Sequence, residues 1–434
     1  MNFDINKVIS TIYDSRSIKD ARENLLTEFY RGRKLHKNNY TKRVRVALIN
    51  IPCGGFGDII FAQKISKYLL EWYGIQAEIF TTYPEAHIKL GENPKNIIKS
   101  IGSTERECSS IADANFGKKS DKYFDLYFVA PLQSNFEPEK DQVIENFKYA
   151  HGSNIFFFSE YNTSEKNFQF PTGIGGNRYG LLLTKPPRVK KYPGLKNPYS
   201  LIYIAPNHQI QGATNCYLSF IEMVCAKNYS KIPKLDIIVP TWIIADLKHG
   251  ISRLEKVVYP YYSEIIVKTG DDSVQHILED RSRAKILTIR GDILPVNNID
   301  MISLIKFSQR DILLTGDQSI TDALSCCVKK NIFYQIADWK RGFAKELSKE
   351  LPNKYLKTNR TSCGTLQAIK YSSNYREFIS EWDFRILARP KMDAIIRLSV
   401  ASQRSKKIDS IAVILENSKS IKGVRKSIDN DLLY

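Results

Sequence analysis

Two short stretches of this sequence hold residue types able to grip an anion and move a proton. One is Gly54-Gly55-Phe56-Gly57-Asp58, the other Thr315-Gly316-Asp317-Gln318-Ser319. In each, an apolar run leads into glycine and a carboxylate, and an amphipathic pattern follows at once. Glycine lets the backbone approach a ligand closely. The amides that open the next helix lack internal partners and sit at the positive end of its dipole, which suits phosphate. A carboxylate there can cap the helix or accept a proton as a general base, and one residue can do both. Asp58 is therefore the candidate base. Gly55, Phe56 and Gly57 on one turn, and Gly316, Asp317, Gln318 and Ser319 on the other, are candidate ligand contacts. Arg290, in I-L-T-I-R-G-D, falls just past a strand's carboxyl end, where open α/β sheets bind ligands. Its guanidinium either neutralises a diphosphate or forms a surface ion pair. Asn207, in the polar Asn207-His208-Gln209 loop after another strand, belongs to the same edge.

Several chemistries are disfavoured by the same residues. A dinucleotide fingerprint wants G-x-G-x-x-G and an acidic residue ending the next strand. Here Ile60 stands in place of the third glycine, and the second strand ends in Thr81-Thr82. No G-K-[ST] follows either turn, so a Walker A loop is absent. No D-x-D flanked by apolar residues appears, and Asp271-Asp272 falls in an expected loop. Neither a metal nor a cofactor is expected. Seven cysteines show no C-x-x-C spacing, which speaks against zinc or a disulfide framework and for a reducing, cytoplasmic compartment. The opening M-N-F-D-I-N-K-V-I-S has no long apolar run, so neither a signal peptide nor a membrane span is expected.

The elements that must position these residues read as α/β. V-R-V-A-L-I-N-I-P is a strand of the kind buried in a parallel sheet. Ile60, Lys64, Ile65, Tyr68, Leu69 and Trp72 then recur at helical spacing, and Gly74 stops the helix. Further strands are expected at A-E-I-F-T-T and Tyr123–Pro131. The Pro-, Gly- and Lys-rich stretch from Phe168 to Pro198 marks a boundary. Beyond it, strands are expected at Ser200–Asn207, Leu235–Pro240, Glu264–Thr269, Lys285–Ile289, Asp311–Thr315 and Asn331–Ile336. Helices are expected near Tyr217–Ala226, at Ile299–Phe307 and at Ile320–Cys327. Strand and helix alternating in this way build β-α-β units. The expected organisation is a helical basic arm over 1–42, Rossmann-like domains over 43–195 and 196–345 facing one cleft, and a helical basic segment over 346–434 that packs back on the first domain. Trp382 and Phe384 are its expected anchors.

At 434 residues and 43% hydrophobic, the chain has ample core, but its formal charge of +18 is unusual. Residues 1–45 hold 11 basic and 5 acidic side chains, and residues 385–434 the same, so +12 of the +18 lies at the two ends. Such ends attract an acidic membrane surface or nucleic acid, or are simply solvated helices.

The run P-V-N-N-I-D-M-I-S-L-I-K-F-S-Q-R-D-I-L-L-T-G-D-Q-S-I-T-D-A-L-S resembles the carboxyl-terminal half of GT-B glycosyltransferases. G-G-F-G-D-I-I-F-A-Q-K-I-S-K-Y-L is similar to the opening of that fold. Within the superfamily the likeness, over residues 44–345, is nearest to bacterial protein-arginine rhamnosyltransferases and heptosyltransferases. It implies two Rossmann-like domains and metal-independent, inverting transfer from a nucleotide-sugar donor to a macromolecular acceptor, with protein favoured. It places Asp58 at the base position and Gly316, Asp317 and Ser319 on the donor turn. Asp317, Gln318 and Ile320 depart from that family's Glu, Asp and aromatic residue. F-P-T-G-I-G-G-N-R-Y-G is similar to an acceptor-side glycine-rich loop. Two rivals remain at this point: a non-catalytic protein of the same fold that binds nucleic acid or acidic lipid, and a nucleotide-sugar epimerase.

Overall fold

The computed structural model describes residues 5–17, 20–21, 44–52, 56–99, 120, 122–132, 136–164, 168–270, 274–278, 285–327, 329–350, 356–370, 379–397, 399, 414–415 and 420–431. Its strands form two sheets. In the first, β1 (Val46–Asn50), β2 (Glu78–Thr81), β3 (Ile97–Lys99), β4 (Leu126–Leu132) and β5 (Ile155–Ser159) run in the order β3-β2-β1-β4-β5, all parallel. The second contains β6 (Tyr199–Tyr203), β7 (Lys234–Ile238), β8 (Glu264–Lys268), β9 (Val274–Leu278), β10 (Ile286–Arg290), β11 (Asp311–Leu314), β12 (Asn331–Tyr334), β13 (Leu356–Thr361) and β14 (Gly364–Lys370). Their order is β13-β14-β12-β11-β6-β7-β10-β8-β9. The six from β12 to β8 are parallel, and β9 and the β13–β14 hairpin close the edges in antiparallel fashion.

Among the described residues the named helices are α1 (Ile5–Tyr13), α2 (Phe56–Tyr73), α3 (Pro84–Lys89), α4 (Phe136–Asn146), α5 (Ala213–Asn228), α6 (Thr241–Val258), α7 (Asn298–Phe307), α8 (Asp317–Cys326), α9 (Arg341–Glu350), α10 (Phe384–Leu387) and α11 (Ile421–Asp431). Among the described residues, none is long and apolar enough to cross a membrane.

The central strands are apolar along their whole length because both faces are covered, and their period of two sends alternate residues to different layers. In the first sheet Leu48, Phe128 and Phe158 point one way, while Ala47, Ile49, Val129 and Phe157 point the other. In the second, Leu201, Ile312, Leu314 and Ile332 enter the same cluster as Leu48, whereas Ile202, Leu313 and Phe333 join α5 and α6. The facing sides of the two sheets thus share one apolar middle layer. It is filled by Phe61, Ile65 and Leu69 of α2 and by Ile320, Ala323 and Leu324 of α8.

Several elements differ from the sequence reading. The stretch after 340 is not all helical: L-K-T-N-R-T and G-T-L-Q-A-I-K pair as a hairpin. Its alternation is mostly polar, and its strand identity comes from pairing with β12. Helix α8 starts at Asp317 rather than Ile320, and α2 starts at Phe56. Asp271-Asp272 and the basic run within 31–43 lie outside the described residues.

Phe384 is fully buried beside Tyr68, Phe158 and Phe170, with ring centroids 6.0, 6.2 and 6.4 Å away. The neighbouring Trp382 carbonyl accepts from the Leu181 amide at 2.6 Å. Truncating such a ring leaves a cavity, so Phe384→Ala should cost about 3–5 kcal/mol in urea unfolding. A loss below about 1 kcal/mol would show that the site collapses freely around the missing ring.

Candidate functional site

In an open parallel sheet, ligands settle at the carboxyl ends where the strand order reverses. The first sheet reverses between β1 and β4, because β2 and β3 lie on one side of β1 and β4 and β5 on the other. The second reverses between β6, which leads to β7, and β11. Helix α2 follows β1 into the middle layer, and α8 follows β11 into the same layer. Helix α5, after β6, packs on the opposite face. The Gly316 turn and the start of α2 at Phe56–Asp58 therefore each lie at a reversal point.

The turn at β11 rests on Gly316, whose φ of 76° lies in the left-handed region that glycine tolerates. A Cβ there would meet nothing within 4 Å, so space is open beside the backbone. Helix α8 begins without a side-chain cap, so Asp317 does not play the capping role the sequence allows, nor does Ser319, whose hydroxyl could also have served. Asp317 is instead turned inward. Its Oδ2 accepts from the Lys340 ammonium at 2.9 Å, and that ammonium also donates to Glu160, the residue after β5. The carboxyl ends of β5, β11 and β12 thus meet at one buried ion cluster.

Among the described residues, Asp317 Oδ1 and the Tyr334 hydroxyl at the end of β12 are buried with no hydrogen-bond partner. Burial works against the Lys340 charge, but the Asp317 and Glu160 carboxylates outweigh it and hold the ammonium above the usual lysine range. Burial pushes the Tyr334 hydroxyl well up, and Asp317 adds to that.

Gln318 is also committed. Its Oε1 accepts from Lys64 Nζ at 2.9 Å, and its Nε2 donates to the Tyr161 hydroxyl at 2.9 Å. Lys64, on α2, donates further to Asp322 Oδ1 at 3.0 Å and to the Leu182 carbonyl at 2.8 Å. Thr184 donates to the same Asp322 oxygen at 2.7 Å. An ammonium with three acceptors, buried between α2 and α8, joins the two sheets.

At the other turn Asp58 lies inside the first turn of α2 rather than before it, and is half-buried. The placement comes from Asn50, the last residue of β1. Its amide donates to the Asp58 carbonyl at 3.3 Å and to the Ala130 carbonyl of β4 at 2.9 Å, so it ties both sides of the reversal point. Asn50 Oδ1 accepts from His87 Nε2 at 2.9 Å, which fixes the proton on Nε2. His87 Nδ1 is buried without a partner, and burial pulls the imidazole down to about 4. Phe56 and Gly57 line the same helix start and are half-buried, whereas Gly55 lies outside the described residues.

The remaining sequence candidates are placed differently. Ser319 is half-buried in the first turn of α8. Arg290 is fully occupied: it forks onto Asp292 with two contacts of 2.7 Å and lies 3.6 Å from Asp236. Asn207 is exposed on the β6–α5 loop and bonds Thr214 at 2.5 Å. Sequence reasoning missed Glu160, Lys340, Lys64 and Asn50, since each acts through a partner distant along the chain. No family model and no curated protein matches this chain.

Removing one member of a buried ion pair leaves an uncompensated charge, so Lys64→Met should destabilise by about 3–5 kcal/mol. Adding Asp322→Leu should recover much of that in chemical unfolding; a double variant no better than the single would assign the loss to packing. For His87, the folded value of about 4 lies below the ordinary 6.5. The unfolded chain therefore binds the proton more readily between those values. The neutral imidazole contributes full stability above pH 6.5, and about 3 kcal/mol is lost as pH falls toward 4. His87→Gln should flatten that acid limb, and parallel stability curves for the two proteins would refute the assignment.

Proposed function

We propose that this chain is a glycosyltransferase of GT-B type, moving a sugar from a nucleotide donor to a macromolecular acceptor, with protein favoured. One observation supports this most: the Gly316 turn and the start of α2 stand at the reversal points of parallel sheets, and the strand ends of the two sheets converge on a shared ion cluster. The donor is proposed to lie over Gly316, using the open space beside it, the amides that start α8, and Ser319. Asn207 borders the same reversal point from the β6 side. Asp317 and Gln318 contribute by fixing the start of α8, since their side chains are bonded between the sheets.

Displacement at the anomeric carbon requires a group to take the acceptor proton as the new bond forms, while the nucleotide diphosphate departs with the bonding pair. Asp58 is the proposed base, its backbone held by Asn50. The basic ends are proposed to tether the enzyme to an anionic surface. Helices α1 and α11 pack together there, the Tyr13 hydroxyl donating to the Arg425 carbonyl at 3.2 Å and Arg425 donating to the Tyr13 carbonyl.

Calorimetric titration with nucleoside diphosphates, then turnover assays with their sugars, tests the reading. Asp58→Asn should lower turnover roughly 10²–10⁴-fold with donor affinity little changed. No binding of any nucleotide would overturn the donor site, and near-normal turnover of the variant would remove Asp58 as base.

A further inference from the structure

The glycine-rich loop singled out in the sequence holds a guanidinium with unused donors. Arg178 donates from Nη2 to the Thr163 carbonyl at 2.7 Å, while its Nη1 is buried with no partner. Among the described residues it makes no ion pair. The acidic group acting on it is Glu346 on α9, whose Oε1 is held by Lys349 at 2.7 Å and whose Oε2 lies 3.7 Å from where a Cβ on Gly175 would stand. This contrasts with Arg290, Arg385 and Arg45, each of which meets a carboxylate at 2.6–2.8 Å. Arg178 as a whole is half-buried, but a donor shut off from water with no acceptor is costly, so the unpartnered Nη1 calls for a reason.

The backbone beside it supplies a second observation. Gly175 and Asn177 adopt φ of 107° and 66°, and a Cβ on Gly176 would meet nothing within 4 Å. Among the described residues, the amides of Gly175, Gly176 and Asn177 make no backbone hydrogen bond, whereas the amides of Gly173, Arg178 and Tyr179 are all bonded. A curled run of amides without backbone partners, followed directly in the chain by an arginine, is anion-binding chemistry.

The loop also lies close to the site. Thr163 follows Glu160 by three residues, and the chain at Asn162 packs so tightly on α9 that a Cβ on Gly342 would fall 2.5 Å from the Asn162 carbonyl oxygen. We propose that Arg178, with the Gly175–Asn177 amides, is a phosphate-binding subsite that receives the diphosphate of the nucleotide ligand. The assignment of that diphosphate to a nucleotide rests on the glycosyltransferase reading; the phosphate subsite does not. Arg178 thereby fills the role for which the sequence offered Arg290.

The test is calorimetric titration of the full chain with inorganic pyrophosphate, a nucleoside diphosphate and the parent nucleoside. Wild-type protein should bind pyrophosphate, with affinity falling as salt rises. Arg178→Gln should weaken it roughly 10- to 100-fold, the loss of one charge-assisted contact. Arg178→Lys, which keeps the charge but not the fork, should fall between the two. Circular dichroism checks folding, and if the Gln variant is unfolded the Lys variant decides alone. Pyrophosphate binding that is absent in wild type, or unchanged in the folded variants, overturns the subsite. Binding that depends on Arg178 but gains nothing from the nucleoside keeps the subsite and overturns the nucleotide reading. Nucleoside diphosphate binding that ignores Arg178 does the reverse.

Discussion

One buried ammonium ties the helices of the two sheets to each other. Lys64 sits in an apolar layer between two helices, where a charge without partners would cost several kcal/mol. Three acceptors surround it, two from α8 and one from the chain at Leu182. Meeting that requirement fixes the rotation and the depth of α8 against α2. The helices in turn fix the Gly316 turn before α8 and the Phe56–Asp58 start of α2. Hydrophobic contact alone would hold the layers together without choosing a single register, because apolar packing is non-directional.

A second constraint operates where the strand ends meet. The start of α8 carries its own carboxylate, Asp317, which already offsets the positive end of the helix dipole. Lys340 neutralises part of this, but Glu160 shares the same ammonium. The cluster is therefore poor at drawing an anion by charge alone. Open space at Gly316 and the hydroxyl of Ser319 suit hydroxyl-bearing groups there, while phosphate is better served by the unpaired guanidinium of Arg178. On the proposed reading, the diphosphate of the donor lies toward Arg178 and its sugar toward Gly316.

How much of this was legible in the sequence differs by scale. The parallel strands could be read from runs such as V-A-L-I-N and D-I-L-L, because burial on both faces leaves a continuous apolar signature. The turns could be read from glycine and carboxylate following those runs. The hairpin at 356–370 could not, since its residues are largely polar and its partner strand β12 lies more than twenty positions earlier. Helix starts were displaced by up to three residues because Asp317 and Ser319 look like caps, while the structure turns Asp317 inward onto Lys340. Nor could the site's long-range members be found. Lys64 reads as one more polar residue on an amphipathic helix, and only the chain 258 positions later makes it a buried ion. Glu160 and Lys340 are separated by 180 positions and become a pair only through the meeting of two sheets.

The shared middle layer has a consequence for how such a chain can be inherited. Nucleotide-fold halves are often treated as modules that recombination can cut and rejoin at the linker. Here each half would leave the ribosome with one sheet face bare, and with half an ion pair stranded on it: Lys64 in one piece, Asp322 in the other. Neither piece would meet the solubility demands of a free domain. A graft from another lineage would have to bring matching acceptors for that ammonium. Each half therefore depends on the other for its acceptors and its cover, even though each reads on its own as a self-sufficient α/β pattern.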